Sequence, residues 1–260
     1  MPINFHEENN RMTYTTRNAD ESWVSLIQNN VEVIGKQVVD IGCGGGIYTK
    51  AFANMGASHI TGVDFSLEMI KGATQNCINY DNVEFVHGDA YDTKLHKTEY
   101  DIILERALIH HLDDLNKCFK EVNRILKNNG ILIVQDRTPK DCLMPGNESH
   151  LRGYFFEKYP NLVHKEIARR YDSLEVRNAL EANGFRLFSE SQIWEKRRIY
   201  NDVEALRQDL QGRTGRSILH ELTDNELKEL VFYIESKMDE SHFPIVEKDS
   251  WTVWVAIKIC

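Results

Sequence analysis

A glycine-rich segment, residues 38–47 (VVDIGCGGGI), carries the strongest chemical signal in the sequence. An apolar stretch runs into a loop in which four of five positions, 42 and 44–46, are glycine, and a helical pattern follows. Glycine lets the backbone adopt positive φ and lets a ligand approach without a Cβ in the way. Backbone N–H groups at the start of a helix favour an anionic ligand group. We therefore predict a ligand-binding strand, loop and helix here; the alternative is a flexible turn.

Two further acids bear on the kind of ligand. Asp64 follows the second predicted strand and Asp89 follows the third. With Asp40 they predict carboxylates at the carboxyl ends of three successive strands, the edge where doubly wound sheets bind ligands. A dinucleotide fingerprint beginning at Gly42 would need glycine at position 47, where the chain has Ile47. Taken singly, Asp64 is equally well explained as a helix cap, and an acid such as Asp89 more often belongs to a surface turn.

With these residues the segment resembles class I S-adenosylmethionine-dependent methyltransferases. The resemblance implies that Asp40 lies near the amino group of the cofactor's methionine, with the loop glycines passing under it. It also implies that Asp64 holds both ribose hydroxyls and that Asp89 contacts the adenine amino group. It covers residues 36–136 by motif and 173–260 by architecture only. The implied cofactor-binding residues are Tyr14, Arg17, Asp40, Gly42, Cys43, Gly44, Asp64, Phe65, Asp89, Ala90 and Glu105.

The polar arm that precedes the first predicted helix is a candidate part of this cofactor site. It carries Tyr14 and Arg17. In many relatives this segment folds over the methionine end of the cofactor, where Arg17 would meet the carboxylate. The alternative is a frayed chain terminus.

Catalytic candidates follow the fourth predicted strand, in residues 104–112 (LERALIHHL). Methyl transfer from a sulfonium is a direct displacement, so alignment and exclusion of water are the main requirements. A general base is needed only where the acceptor must lose a proton. In the family, residues just after this strand pass close to the cofactor methyl, which makes Glu105 and Arg106 candidates for contact with the reacting groups. The family also commonly has His-His-Leu here, which makes His110 a candidate base. The alternative for His110 is a structural role. The residues that follow the fifth strand and face the same edge are Gln135, Asp136 and Arg137.

Arginines concentrated in residues 137–216 predict an anionic methyl acceptor. This stretch holds 15 lysines and arginines against 12 acids, while the rest of the chain holds 16 against 28. Arginine is suited to bidentate capture of carboxylate or phosphate. We predict a lid that selects a small, partly apolar anion. The alternatives are arginines paired with neighbouring acids on solvated helix faces, and RNA as the anion. The predicted acceptor contacts are Arg137, Arg152, Tyr154 and Arg197.

Short β-rich runs alternate with helical patterns, which predicts βαβ units and a parallel sheet covered by helices. The predicted fold class is α/β: a doubly wound, seven-stranded, mostly parallel, Rossmann-like sheet with a helical lid or insert. The predicted parts are an N-terminal arm and helix (1–35), a cofactor-binding core (36–137), an irregular lid segment (138–172), and the C-terminal half of the sheet (173–260) with a helical insert at 201–240. The predicted strands are Lys36–Ile41, Ser58–Val63, Val83–His87, Tyr100–Leu104, Gly130–Gln135, Phe185–Ile199 and Trp251–Ile259.

Helix signals place several boundaries. The first helix is predicted to run through Ile34, and a second over Asp114–Lys127, where Asn128-Asn129-Gly130 would stop it. Another begins near Ser173 and ends at the cap signal Asn183-Gly184. Thr223 and Glu226 form a capping box that opens a helix in the insert.

Composition narrows the class of protein. With 42% hydrophobic and 27% charged residues the chain is typical of globular proteins, and its net charge of −9 argues against general nucleic-acid or membrane binding. Five cysteines with no CxxC spacing predict a reducing compartment and no metal site. Without an apolar leader or a long apolar run, we expect a cytoplasmic enzyme acting on a small molecule. The remaining alternatives are an RNA or protein methyltransferase, a cofactor-binding protein without catalysis, and a nicotinamide oxidoreductase, against which Ile47 argues.

Overall fold

A computed structural model describes residues 18–238 and 242–259. Within these residues seven strands form one sheet in the order β3-β2-β1-β4-β5-β7-β6, and β7 runs antiparallel to β5. The strands are β1 (Gln37–Ile41), β2 (His59–Asp64), β3 (Val83–His87), β4 (Tyr100–Arg106), β5 (Leu126–Asp136), β6 (Phe185–Tyr200) and β7 (Ile245–Lys258). The α-helices are α1 (Glu21–Asn30), α2 (Ile47–Asn54), α3 (Leu67–Asn76), α4 (Leu115–Ile125), α5 (Pro139–Cys142), α6 (Arg152–Lys158), α7 (Leu162–Ile167), α8 (Ser173–Ala182), α9 (Val203–Gln211) and α10 (Asp224–Glu235).

The predicted doubly wound α/β fold is confirmed, and its strand order explains where a ligand binds. The chain runs outward from β1 through β2 to β3, then returns to place β4 on the other side of β1. Ile41, the last residue of β1, is therefore flanked by Val63 of β2 and Glu105 of β4. Loops leave such a point in opposite directions and open a crevice at the carboxyl ends of the strands.

Several element boundaries differ from the prediction. The first helix ends at Asn30, because Val31 is extended and buried. The helix predicted to end at Lys127 ends at Ile125, and the asparagines expected to stop it lie in β5, whose first residue Leu126 pairs with Tyr100 of β4. The last strand begins at Ile245 rather than Trp251. In each case tertiary burial or pairing, which local pattern does not report, sets the boundary.

The described residues belong to two compact units. The core unit comprises residues 18–136, 173–193 and 252–259, and the second unit comprises residues 137–172, 194–238 and 242–251. The segment 138–172, which has no clear sequence period, contains α5, α6 and α7; these helices have 4, 7 and 6 residues, too few to display a repeating apolar pattern. In residues 18–238 and 242–259 no helix is both long and apolar enough to cross a membrane.

The second unit has an apolar cluster of its own. The predicted capping box is confirmed: Thr223 and Glu226 exchange side-chain to backbone hydrogen bonds at the start of α10. One face of that helix is buried in the cluster, as the apolar spacing in the sequence predicts. Its members are Leu151, Tyr154, Phe155, Phe156, Leu162, Tyr200, Leu206, Leu210, Ile218, Leu219, Leu222, Leu227, Leu230, Val231, Ile234 and Ile245.

Candidate functional site

The glycine loop leaves β1 and enters α2 through three residues in the left-handed region. Gly42, Gly44 and Gly46 have φ of +74°, +51° and +77°. The N–H groups of Gly42 and Cys43 both donate to the carbonyl of Val63, at 2.8 and 3.0 Å, which ties the loop to β2. Only residues without a Cβ take up these φ values without strain, so the glycines fix the path of the backbone at the end of β1.

Asp64 is the last residue of β2 and holds the glycine loop directly. One carboxylate oxygen accepts the N–H of Gly44 at 2.9 Å, and the other accepts the N–H of Ser66, also at 2.9 Å. The residue is only 6% exposed, whereas the neighbouring Phe65 is 47% exposed. A carboxylate oxygen can accept more than one hydrogen bond, so these contacts are compatible with further bonds from hydroxyl groups. The geometry suits the ribose role that the resemblance implies, and that role stays a prediction.

Asp40 lies in the interior at the end of β1. Its Oδ2 accepts a hydrogen bond of 2.6 Å from the hydroxyl of Thr49 in the first turn of α2. Burial raises the pKa of Asp40 to about 6, against the smaller opposing effect of Thr49. A cationic group brought beside Asp40 would favour the ionised form, which is compatible with the predicted contact to an amino group.

Asp89, the third acid, is exposed and shapes a turn after β3. Its Oδ1 accepts the N–H of Tyr91 at 2.7 Å, and its backbone pairs with that of Asp92. Ala90 is buried within the turn. These contacts within the turn are those expected of the surface-turn alternative. The contact with adenine that the resemblance implies stays a prediction.

Glu105 and Arg106, which end β4, have different surroundings. Glu105 is fully buried, and its Oε1 accepts from the Cys118 thiol of α4 at 2.9 Å. Its Oε2 is buried with no hydrogen-bond partner among the described residues, and burial raises the pKa of Glu105 to about 7. The guanidinium of Arg106 stacks over the Tyr48 ring at 4.2 Å from the ring centroid. Glu105 therefore contacts a covering helix, and its predicted part in catalysis stays a prediction.

His110 lies in a short 3₁₀ turn, Ile109–His111, that follows β4. Its Nδ1 is 2.8 and 3.0 Å from the two carboxylate oxygens of Asp136, and its backbone N–H donates to Asp136 Oδ2 at 3.3 Å. Asp136 is the last residue of β5 and is buried. The sequence predicts that Asp136 faces this edge but assigns it no catalytic or binding role. Its signal, an acid at the carboxyl end of a strand, is the one that singled out Asp40 and Asp64.

Residues 39–134, which include Asp40, Asp64, Asp89, Glu105 and His110, match the family model described as a methyltransferase domain. Residues 39–134 are a class I S-adenosylmethionine-dependent methyltransferase domain. The chain is 30% identical over 101 residues to a demethylmenaquinone methyltransferase of Staphylococcus aureus, an alignment that covers 38% of this chain and 42% of that protein. The chain thus spans about two fifths of the length of the curated relatives it matches.

Two solved structures show the methyltransferase fold over most of the chain. A putative methyltransferase from an antibiotic biosynthesis pathway of Anabaena variabilis aligns with a TM-score of 0.70 and 20% identity, covering 92% of this chain and 98% of that one. A putative methyltransferase of Bacillus halodurans aligns with a TM-score of 0.62 and 19% identity, covering 91% and 99%. The cofactor of the methyltransferase domain is S-adenosylmethionine, as predicted.

The predicted acceptor arginines lie in the second unit, where each has carboxylate neighbours. Arg137 contacts Asp249 at 2.9 Å and stacks on Trp251, with its guanidinium carbon 4.1 Å from the ring centroid. Arg152 lies 3.5 Å from Asp249 and 3.6 Å from Glu166. The alternative of arginine–acid pairing is therefore observed for these residues, although the pairs are buried rather than on solvated faces.

Arg197 joins a larger buried cluster around the hydroxyl of Tyr200. Its Nη1 lies 2.9 Å from Glu247 and 3.1 Å from Asp209, and Arg216 donates to the same two acids. Arg216 and the other arginines lower the pKa of Asp209 to about 2 despite its burial. Tyr154 belongs to the apolar cluster of the second unit.

Two predicted cofactor-binding residues, Tyr14 and Arg17, lie outside the described residues. Among residues 18–238 and 242–259 no group of three or more His, Cys, Asp or Glu side chains is arranged to hold a metal ion.

Proposed function

We propose that the protein is an enzyme that transfers the methyl group of S-adenosylmethionine to a small-molecule acceptor. The observation that carries the proposal is the glycine loop held against Asp64, because it joins a positive-φ backbone with a buried carboxylate at the switch point of the sheet. A relative of this domain is named for demethylmenaquinone, a small molecule, which supports an acceptor of that size.

The residues suited to the cofactor are Asp40, Asp64 and the loop between β1 and α2. When bound, the cofactor supplies a methyl group on positively charged sulfur, an already activated carbon. The protein's part is to hold the methionine end near Asp40 and the ribose at Asp64, and to keep water from the reacting atoms. Phe65, half-exposed beside Asp64, is suited to contact the adenosine.

The first test is ligand binding. Isothermal titration calorimetry should detect S-adenosylmethionine and S-adenosylhomocysteine but not NAD. Tight NAD binding would contradict the proposal and favour the oxidoreductase alternative. Cofactor binding without turnover of any acceptor would favour a binding protein without catalysis.

The second test identifies the acceptor class with methyl-labelled cofactor. We would assay 1,4-dihydroxynaphthalene, 4-hydroxybenzoate, phosphoethanolamine, N,N-dimethylglycine and a short RNA. Label on one of the small molecules supports the proposal, whereas label on the RNA alone would favour a nucleic-acid methyltransferase.

We further propose that the acceptor carries an anionic group that binds Arg152. Arg152 is 5% exposed, and its Nη1 is buried without a hydrogen-bond partner among the described residues. A carboxylate or phosphate oxygen would satisfy that donor, and a charge-assisted hydrogen bond contributes about 1.5–3 kcal/mol. Arg137 and Arg197 each donate to an acid at 2.9 Å, whereas Arg152 lies 3.5 Å from Asp249 and 3.6 Å from Glu166, so Arg152 is the sharper candidate of the three.

The anion proposal is tested by Arg152→Gln. The KM for 4-hydroxybenzoate should rise about 10-fold or more, while that for neutral 1,4-dihydroxynaphthalene should stay within about threefold. Arg186→Gln, which removes an exposed arginine of β6, is the matched control. Because Arg152 also neighbours buried acids, thermal unfolding of each variant must confirm that it folds. Equal changes for both acceptors would contradict the anion proposal.

A further inference from the structure

The contact between His110 and Asp136 determines which ring nitrogen of His110 is basic. An ionised carboxylate only accepts hydrogen bonds, so Nδ1, at 2.8 and 3.0 Å from its oxygens, is the nitrogen that carries the hydrogen. The lone pair of a neutral imidazole is then on Nε2. The third contact, from the backbone N–H of His110 to the same carboxylate, fixes the start of the turn as well as the ring.

The turn that carries His110 lies directly against the glycine loop. A Cβ placed on Gly42 would come within 3.0 Å of Leu108 Cδ1, two residues before His110. The turn therefore packs against the backbone segment assigned to the methionine end of the cofactor. All of these residues belong to the core unit.

A strained residue holds the turn in place. Ala107 has a φ of +51°, a left-handed conformation that costs free energy for a residue with a Cβ, and its N–H donates to the carbonyl of Gln135 at 2.8 Å. Gln135 immediately precedes Asp136. One short stretch of β5 thus fixes both the reversal of the chain after β4 and the orientation of the histidine ring. Backbone strain that persists at such a place is typical of functional sites.

We propose that His110 is the general base of the methyl transfer, that Asp136 is its positioning residue, and that the acceptor therefore carries a proton on its nucleophilic atom. This inference rests on the proposed function. It narrows the acceptor to a compound whose nucleophilic atom carries a proton, such as a hydroxyl group or an acidic carbon, and excludes a thioether, which has no proton to lose.

The step balances without another reactant. The bond between the acceptor atom and the methyl carbon forms while the bond from that carbon to sulfur breaks, and the breaking pair stays on sulfur, which becomes neutral. The acceptor's proton passes to His110 Nε2 and then to solvent. Asp136 remains ionised and stabilises the imidazolium that forms.

A purely structural histidine is the competing explanation, since it would make the same hydrogen bonds. The two explanations differ in pH dependence. A base must be unprotonated, so turnover should fall as the pH drops through the titration of the ring. The ionisable groups in contact with the His110 ring include Asp136 from β5 and His111, whose ring centroid is 4.0 Å away.

The first experiment reads the tautomer and needs no turnover. ¹⁵N NMR of the full chain, with histidine labelled and His110 assigned by comparison with His110→Gln, should show hydrogen on Nδ1 at neutral pH. Asp136→Asn, in which the amide can also donate, should shift the ring toward the Nε2–H form. An Nε2–H tautomer in the unaltered protein would overturn the proposal.

The second experiment is kinetic, with labelled cofactor and 1,4-dihydroxynaphthalene and 4-hydroxybenzoate as the hydroxyl probes. His110→Gln should lower kcat by about 10²–10⁴-fold with KM little changed and should abolish the acidic limb of the pH profile. Asp136→Asn should lower kcat in the same direction, and Asp136→Glu should restore part of it. His96→Gln, which replaces an exposed histidine of the core unit, is the matched control and should stay within about threefold of the unaltered protein.

S-adenosylhomocysteine binding separates failure of this inference from failure of the proposed function. Unchanged kcat in His110→Gln, with product binding intact, overturns the base assignment alone. Loss of S-adenosylhomocysteine binding in the unaltered protein overturns the proposed function itself.

Discussion

At the scale of single residues, Asp64 has two tasks, and a substitution affects both. Its carboxylate holds the N–H groups of Gly44 and Ser66, and the same oxygens are proposed to accept the ribose hydroxyls. Replacing it therefore removes ligand contacts and also loosens the loop that surrounds them. The two effects have the same sign for cofactor affinity.

We predict that Asp64→Ala weakens binding of S-adenosylmethionine at least about 10-fold, because charge-assisted hydrogen bonds are lost. Asp64→Asn, which retains one acceptor oxygen, should lose less. Calorimetry measures both, with Asp81→Ala, an exposed acid of the core unit, as the control. Affinity unchanged in Asp64→Ala would contradict the ribose assignment.

Glu105 supplies a pH prediction. Burial raises its pKa from 4.5 to about 7, so between those values the folded state holds a proton that the unfolded state has released. Its contribution to stability is therefore most favourable below pH 4.5, declines as pH rises through 7, and is fully unfavourable above that. Two and a half pKa units correspond to about 3 kcal/mol.

We therefore expect Glu105→Gln to gain stability relative to the unaltered protein as pH rises from 5 to 8, by up to about 3 kcal/mol. Urea unfolding at several pH values measures the difference, from which titrations shared by both proteins cancel. Glu181→Gln, at an exposed position of α8, is the matched control. A pH-independent difference for Glu105→Gln would show that Glu105 is ionised throughout this range.

The sequence alone could single out Asp40 and Asp64, because acids directly after predicted strands at family spacing are a local signal. It could not predict that Asp136 contacts His110, because the two residues are 26 positions apart and meet only when β4 and β5 pair. The burial of Glu105 against Cys118 was missed for the same reason. Whether a helix covers a side chain at the end of a strand depends on tertiary packing.

At the scale of elements, α10 is defined by its first turn. The hydroxyl of Thr223 accepts the N–H of Glu226, while the Glu226 carboxylate accepts from the Thr223 backbone N–H and hydroxyl. Thr223 is exposed and Glu226 is only partly buried, so the cap owes little to burial. The sequence predicted it because capping boxes depend only on residues three positions apart.

Thr223→Ala should destabilise the protein by about 1 kcal/mol, the usual contribution of an N-cap side chain. Thermal or urea unfolding followed by circular dichroism measures the change. Lys228→Ala, on the exposed face of the same helix, should change stability by less than about 0.5 kcal/mol. A loss in Thr223→Ala no larger than in this control would mean that α10 does not depend on its cap.

Elements with repeating apolar patterns were predictable, and those built on buried charge were not. The sequence pattern does not predict the start of β7, because this part of the strand carries Glu247 and Asp249, and charged residues are typical of loops. In the second unit their charges are met by Arg216 and Arg137, so a strand with buried acids becomes stable. Hydropathy averaged over a short stretch of sequence cannot detect these pairs, because the partners of Glu247 and Asp249 are 31 and 112 positions away.

At the scale of the whole molecule, ligand binding should stabilise the fold by mass action. S-adenosylhomocysteine at 100 times its Kd should add about 2.7 kcal/mol to the free energy of unfolding, and NAD at the same concentration should add nothing. Hydrogen exchange should locate the effect: added protection is expected over residues 37–66, and little over α10. Protection confined to the second unit would contradict the cofactor assignment.

The division of the chain also bears on how specificity can be changed by recombination. The described chain passes between the two units four times, after residues 136, 172, 193 and 251. A chimera that takes the second unit from a relative must therefore carry two separate gene fragments and match four junctions. It must also keep Asp136 from one parent while accepting Arg137 from the other. A single crossover between residues 137 and 249 would leave Arg137 and Asp249 with partners of different ancestry, so exchange of both fragments together is the design that preserves the buried charges.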